Sequence, residues 1–144
     1  MFIYALLESM WGWRGYNTPG EEAPRFFRIN PDNFSGRRLY RLLSPGDNMV
    51  VTNSCRTVQR SASQHGTPDP TWVKENLEKA KADGTELFLV CGKVAKSTYE
   101  KTGLTYTNVL FIDHPAARRW TRATELEVIN QIAAMRPQRE EVVA

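Results

Sequence analysis

Four apolar runs punctuate the chain: 2–7, 49–52, 87–91 and 109–112. None alternates cleanly between apolar and polar positions, which is the habit of parallel strands covered by helices on both faces. The segments between them carry helical spacing. Ser35 can cap a helix bearing Leu39, Leu42 and Leu43, stopped by Pro45-Gly46. Asp69 as cap and Pro70 in the first turn begin a clearer helix, with Val73, Leu77 and Ala80 on one face and Gly84 closing it. Residues 94–101 read as a short helix ended near Gly103. Thr124 and Glu127 form a capping box for a last helix, with Leu126, Ile129 and Ile132 or Ala133 inward and Arg136-Pro137 as its end.

This order predicts an α/β fold: a three-layer α/β/α sandwich around a four-stranded, mainly parallel sheet. A single domain over 1–136 and a loose tail over 137–144 are expected. The long irregular stretches, 9–34 and 54–68, are expected to be functional or mobile.

Composition narrows the picture. A chain of 144 residues suits one domain and can bury a core without disulfides or metals. No apolar run approaches the ~20 residues that span a bilayer, so no membrane partner is expected. The opening MFIYALLESM lacks a basic n-region and a small-residue cleavage site, and reads as a first strand. Cys55 and Cys91 stand alone, which fits a reduced, cytoplasmic protein. Two Cys and two His make a structural zinc or an iron–sulfur cluster improbable, and no cofactor is expected. The net charge of +3 is a mild bias, but the arginines cluster: 25, 28, 37, 38 and 41; 56 and 60; 118, 119 and 122. Arginine in loops suits bidentate phosphate contacts, and equally a solvated surface.

Ligands of open parallel sheets bind beyond the carboxyl ends of the strands. The first strand ends in Glu8-Ser9, followed by Met10, Trp11, Gly12, Trp13 and Arg14. The second ends in Asn53, the third in Gly92-Lys93, and the fourth in Asp113-His114-Pro115. Together they offer a carboxylate, a hydroxyl, a carboxamide, an imidazole, aromatic walls and guanidiniums, a set suited to a planar ligand. Each has a plainer alternative. Asn53 also suits a turn after a strand. His114 also suits a structural histidine before a proline turn, and Trp11 and Trp13 also suit core aromatics. Gly92-Lys93 resembles an anion-binding helix start without the full P-loop pattern. No Ser-His-Asp order or nucleophile elbow is present.

Four stretches carry a resemblance to the uracil-DNA glycosylase superfamily, covering about residues 2 to 134. ALLESMWGWRG resembles the first strand and its water-activating loop. VVTNSCRTVQR resembles the second strand, ending in the Asn that hydrogen-bonds a flipped base. LFLVCGKVAKSTY is similar to the third strand and its helix. HPAARRW resembles the His-Pro-Ser motif. The resemblance implies catalytic roles for Glu8 or Ser9 and for His114, base binding by Trp11 or Trp13 and Asn53, and phosphate or DNA contacts by Arg14, Arg37, Arg56, Lys93, Arg118 and Arg119. The first motif lacks the family's proline, and Ala116 replaces the Ser of the last.

The expected function is therefore hydrolysis of an N-glycosidic bond at a base in DNA or in a nucleotide, in DNA repair or modification. The alternative is a catalytically silent binding module with the same pocket, such as a small phage-type or accessory factor.

Overall fold

The computed structural model describes residues 1–8, 19–59 and 66–137. In chain order the elements are β1 (Phe2–Leu7), β2 (Phe27–Arg28), α1 (Phe34–Tyr40), β3 (Asn48–Asn53), α2 (Pro70–Ala82), β4 (Leu87–Cys91), α3 (Lys93–Lys101), β5 (Val109–Ile112) and α4 (Arg122–Met135). The sheet has five strands in the order β2-β3-β1-β4-β5. All neighbours pair parallel except β2, which runs antiparallel to β3 with Phe27 opposite Val51.

Helices cover both faces. On one face Ile3, Ala5, Val51, Leu87, Leu89 and Ile112 meet Leu39 of α1, Leu42 just after it, and Val128 and Ile132 of α4. On the other, Tyr4, Leu6, Phe88 and Val90 meet Trp72, Val73, Leu77 and Ala80 of α2 and Ala95 and Tyr99 of α3. Alternate residues of each strand enter opposite cores, which is why β1 and β4 read as continuous apolar runs rather than alternating ones.

Several expectations need correction. The sheet has a fifth strand, β2. It is two residues long and sits inside an Arg- and Pro-bearing segment, too short to show a period. The strand at 109–112 is not buried on both faces: β5 is an edge, and Phe111 is 47% exposed. The cap of α1 is Asn33, whose side chain accepts from the Gly36 N–H at 2.6 Å, and Ser35 lies inside the helix. A Cβ on Gly36 would collide with the Asn30 carbonyl, so only glycine fits in this first turn. The cap of α4 is Thr121, accepting from the Thr124 N–H at 3.2 Å, not Thr124 with Glu127. Of the residues expected inward, Ile132 is buried and Ile129 partly buried, whereas Leu126 is 45% exposed and Ala133 is exposed; Glu125 and Val128 complete the inward face. Asp69 caps α2 as expected, accepting from the Trp72 N–H at 3.1 Å with Pro70 in the first turn.

At the amino edge of the sheet, Asp47 fastens the end of α4 to the start of β3. Its carboxylate takes two bonds of 2.7 Å from Arg136, one of 2.8 Å from the Ser44 N–H and one of 3.1 Å from the Met1 amino group. This bidentate, charge-assisted pair is among the stronger polar contacts a protein makes.

Candidate active site at the carboxyl edge

From β1 the chain builds β3 on one side, then crosses back to place β4 and β5 on the other. The carboxyl ends of β1 and β4 therefore flank the topological switch point, where open sheets form their ligand crevice. A cavity of about 440 Å³ opens there. Its walls are Glu8 after β1, Cys91 and Gly92 ending β4, Lys93 and Val94 opening α3, and Asp113, His114, Ala117, Arg118 and Arg119 after β5.

His114 is presented by a tight turn. The Ala117 N–H donates to the His114 carbonyl at 2.8 Å, closing a β-turn with Pro115 in the second position, where its fixed φ is preorganised. Within that turn the Ala116 N–H donates to His114 Nδ1 at 3.0 Å. Nδ1 is thus an acceptor, so a neutral imidazole carries its proton on Nε2. Burial pushes the His114 pKa below its ordinary value, and the charge of Glu8 opposes this as a smaller effect. The neutral Nε2–H donor is the favoured form at neutral pH.

Glu8 is held by its own backbone. Its carbonyl accepts from the Ser54 and Cys55 N–H groups at 3.0 and 3.1 Å, and the Ser54 hydroxyl donates to the Leu7 carbonyl at 2.6 Å. The loop after β3 thereby fixes the exit from β1. Burial first, and the Glu8 charge second, push the Cys55 thiol up to about 11. Burial alone pushes the Cys91 thiol up as well. Neither thiol is a nucleophile at neutral pH.

Gly92 makes the close packing possible. Its φ is +92°, and a Cβ there would stand 3.0 Å from the His114 Cβ. Only glycine combines that conformation with that proximity. The helix it opens has no side-chain cap bond and no acidic residue in its first turn, and Lys93 stands there.

The predicted residues divide. Glu8, His114, Lys93, Arg118 and Arg119 share the cavity. Arg119 also grips Asp113 at 2.6 Å, so its charge is partly committed. Asn53 ends β3 at the same edge and is 1% exposed, with no hydrogen-bond partner for its Nδ2. It is not a wall of the cavity: β1 and β4 lie between its strand and β5, three spacings or about 14 Å. Arg37 is exposed on α1 and donates to the Asp32 carbonyl at 3.1 Å. Arg56 faces Glu22 at 3.5 Å. Both stand apart from the cavity walls. Ser9, Trp11, Trp13 and Arg14 lie outside the described residues.

Sequence reasoning missed Arg38 and Glu125. Arg38 appeared only as one more surface arginine, yet it donates to the Pro115 and Ala117 carbonyls at 2.7 and 3.0 Å. Glu125 was not singled out in the sequence. It is buried, bonded to Arg41 at 2.9 Å, Arg122 at 2.9 Å and the Trp120 Nε1–H at 3.2 Å. Trp120 is therefore a core residue anchored by Glu125. The available signal was spacing: Glu125 lies three and seven residues before Val128 and Ile132, on the same face of the helix.

Among the described residues no group of three or more His, Cys, Asp or Glu is placed to hold a metal ion, and no helix is long and apolar enough to cross a membrane. No protein-family model matches the chain, and no curated protein sequence matches it.

Proposed function

We propose that the chain hydrolyses an N-glycosidic bond at a nucleobase in DNA or in a nucleotide, in the manner of the uracil-DNA glycosylase superfamily that its motifs resemble. One observation carries the reading. Glu8 and His114, delivered by different parallel strands, open into one cavity at the switch point, with His114 arranged as a neutral Nε2–H donor. A cavity of that size accommodates one base and its sugar.

In the proposed reaction the base leaves its stack and enters the pocket. The C1′–N bond breaks with its electron pair moving to the base. His114 Nε2–H hydrogen-bonds the oxygen on which that negative charge grows. Glu8 stabilises the cationic sugar and orients or deprotonates the attacking water, which supplies the hydroxyl to C1′. Ser9 is the alternative activating group. Trp11 or Trp13 would stack on the base; Asn53, buried and away from the cavity walls, does not reach its edge in this arrangement, against the role the resemblance implies. Lys93, Arg118 and Arg119 at the rim would hold phosphates, with Arg14, Arg37 and Arg56 contributing further along a strand.

The alternative is a binding module that keeps the pocket without the chemistry. The Glu8-Ser9-Met10 stretch, which lacks the family's first-motif proline, favours it. Release of free base from single- and double-stranded oligonucleotides containing uracil, hypoxanthine or 5-substituted uracil decides between them. The glycosylase reading expects release by the wild type and its loss in Glu8→Gln. Tight binding of the same oligonucleotides with no base released would leave only the binding module.

A further inference from the structure

Arg38 reaches from α1 to the turn that carries His114. A single guanidinium nitrogen, Nη1, donates to the Pro115 carbonyl at 2.7 Å and to the Ala117 carbonyl at 3.0 Å. The guanidinium carbon stands 4.1 Å from the centre of the Phe34 ring and 5.8 Å from that of Trp120. Two carbonyls and two aromatic rings thus fix both the head and the plane of this side chain.

The Pro115 carbonyl belongs to the same peptide unit as the Ala116 N–H. In a planar trans peptide the C=O and N–H point in opposite directions. Holding the oxygen at one end therefore aims the hydrogen at the other, and that hydrogen is the one received by His114 Nδ1 at 3.0 Å. A cation on the carbonyl also polarises the peptide and strengthens its N–H as a donor. An imidazole whose Nδ1 is occupied by a donor keeps its own proton on Nε2.

We propose that Arg38 is a positioning residue that sets the tautomer and orientation of His114 through the Pro115–Ala116 peptide. The catalytic consequence rests on the function proposed above; the tautomer does not. In that reaction Arg38 touches no reacting atom and acts only through the turn.

The test is the tautomer itself, read from long-range proton–nitrogen correlations of the imidazole in the full chain at pH 8. The protein has two histidines, so a His65→Gln background leaves one ring to observe. The Nε2–H form should dominate with Arg38 present. Arg38→Met keeps the length and removes the donors, and should give a mixture of tautomers. Single-turnover base release should slow about tenfold or more while substrate affinity holds, because a misaligned donor costs the chemical step rather than binding. Arg38→Lys restores a cationic donor and should recover the Nε2–H form and most of the rate. An unchanged tautomer in Arg38→Met, or an Arg38→Lys protein no better than Arg38→Met, would overturn the proposal. Should Arg38→Met fail to fold, Arg38→Gln takes its place: its shorter arm cannot reach both carbonyls, so an unchanged tautomer there is equally fatal. A wild type that releases no base ends the functional reading and leaves the tautomer to decide Arg38. A wild type that releases base, beside an Arg38→Met ring unchanged in tautomer, removes Arg38 and leaves the functional reading standing.

Discussion

The two edges of the sheet treat a buried ionisable group in opposite ways. At the amino edge Asp47, 2% exposed, meets a matched cation: two bonds from Arg136 hold its carboxyl well below the usual carboxylate range. At the carboxyl edge His114 receives one backbone N–H on Nδ1, and its Nε2 meets no hydrogen-bond partner among the described residues. Burial there lowers the pKa, and the Glu8 charge offsets this only in part. Where polar capacity is fully used, the group fastens the fold. Where a neutral imidazole lines a cavity, the group is a candidate for chemistry.

The largest effect expected from breaking this contrast is on turnover. His114→Ala should slow base release by roughly 10²-fold or more, the usual loss when a donor to developing charge is removed. Its removal opens space into an existing cavity, so stability should change by about 1 kcal/mol or less. Single-turnover kinetics beside thermal melting separates the two. A variant that melts far lower yet keeps its activity per folded molecule would make His114 a structural residue.

Asp47→Ala should do the reverse. It leaves the Arg136 guanidinium, 28% exposed, without its buried partner, at a cost of about 3 kcal/mol. Activity per folded molecule should be unchanged, since the pair sits at the far edge. The pH dependence follows from the direction of the shift. Asp47 has a depressed folded-state pKa, so its contribution is present above the unfolded carboxylate value and is lost as pH falls through the folded one. Acid melting of the wild type and Asp47→Ala should therefore converge only well below the ordinary carboxylate range. Convergence at pH 5 would show that the pair contributes little.

The same contrast explains what was legible in the sequence. Strands β1, β4 and β5 were read to the residue, and α2 with its cap, because continuous apolar runs and an Asp-Pro helix start are local signals, although the run of β5 is an edge and not buried on both faces. Glu8 and His114 were legible because a strand's end, and so the sheet edge, follows from the strand. What stayed hidden is set by distance in the chain. Asp47 and Arg136 are 89 residues apart, and Arg38 and Pro115 are 77 apart. No periodicity marks which surface arginine finds a carbonyl across the fold. Asn53 was placed correctly at its strand end, but its distance from the cavity depends on strand order, which the sequence pattern does not contain. The misread caps of α1 and α4 have a common cause. Ser, Thr and Asn occur both at caps and within first turns, and only the three-dimensional arrangement shows which side chain receives a first-turn N–H: Asn33 from Gly36 and Thr121 from Thr124.

Gly92→Ala should give a smaller, mixed effect. Its positive φ strains any side chain, and the new methyl would press on the His114 Cβ at 3.0 Å. A loss of about 1–2 kcal/mol in stability is expected, with base release slowed about tenfold through displacement of the ring. A variant with wild-type melting and wild-type rate would show that β4 and the His114 turn are not rigidly coupled.

The finest distinction is electrostatic and needs no catalysis to observe. Two influences act on His114: burial lowers its pKa, and the nearby Glu8 charge raises it by less. Glu8→Gln removes only the second, so the His114 titration midpoint, followed by NMR, should move to still lower pH. In the wild type, protonation adds a proton at Nδ1 as pH falls through the depressed midpoint: Nε2–H remains a donor, but the acceptor for the Ala116 N–H, and with it the turn's hold on the ring, is lost. The acid limb attributable to His114 should therefore lie below the ordinary imidazole value of 6.5. Stability follows the same sign. A group with a depressed folded pKa stabilises above its unfolded value, and that stability disappears as pH falls through the folded midpoint. Raising ionic strength should mimic Glu8→Gln only weakly, because charges lining a partly enclosed cavity are screened less than surface pairs. A midpoint that rises in Glu8→Gln would mean the carboxylate does not act on the imidazole. The two residues would then share a cavity without sharing a mechanism.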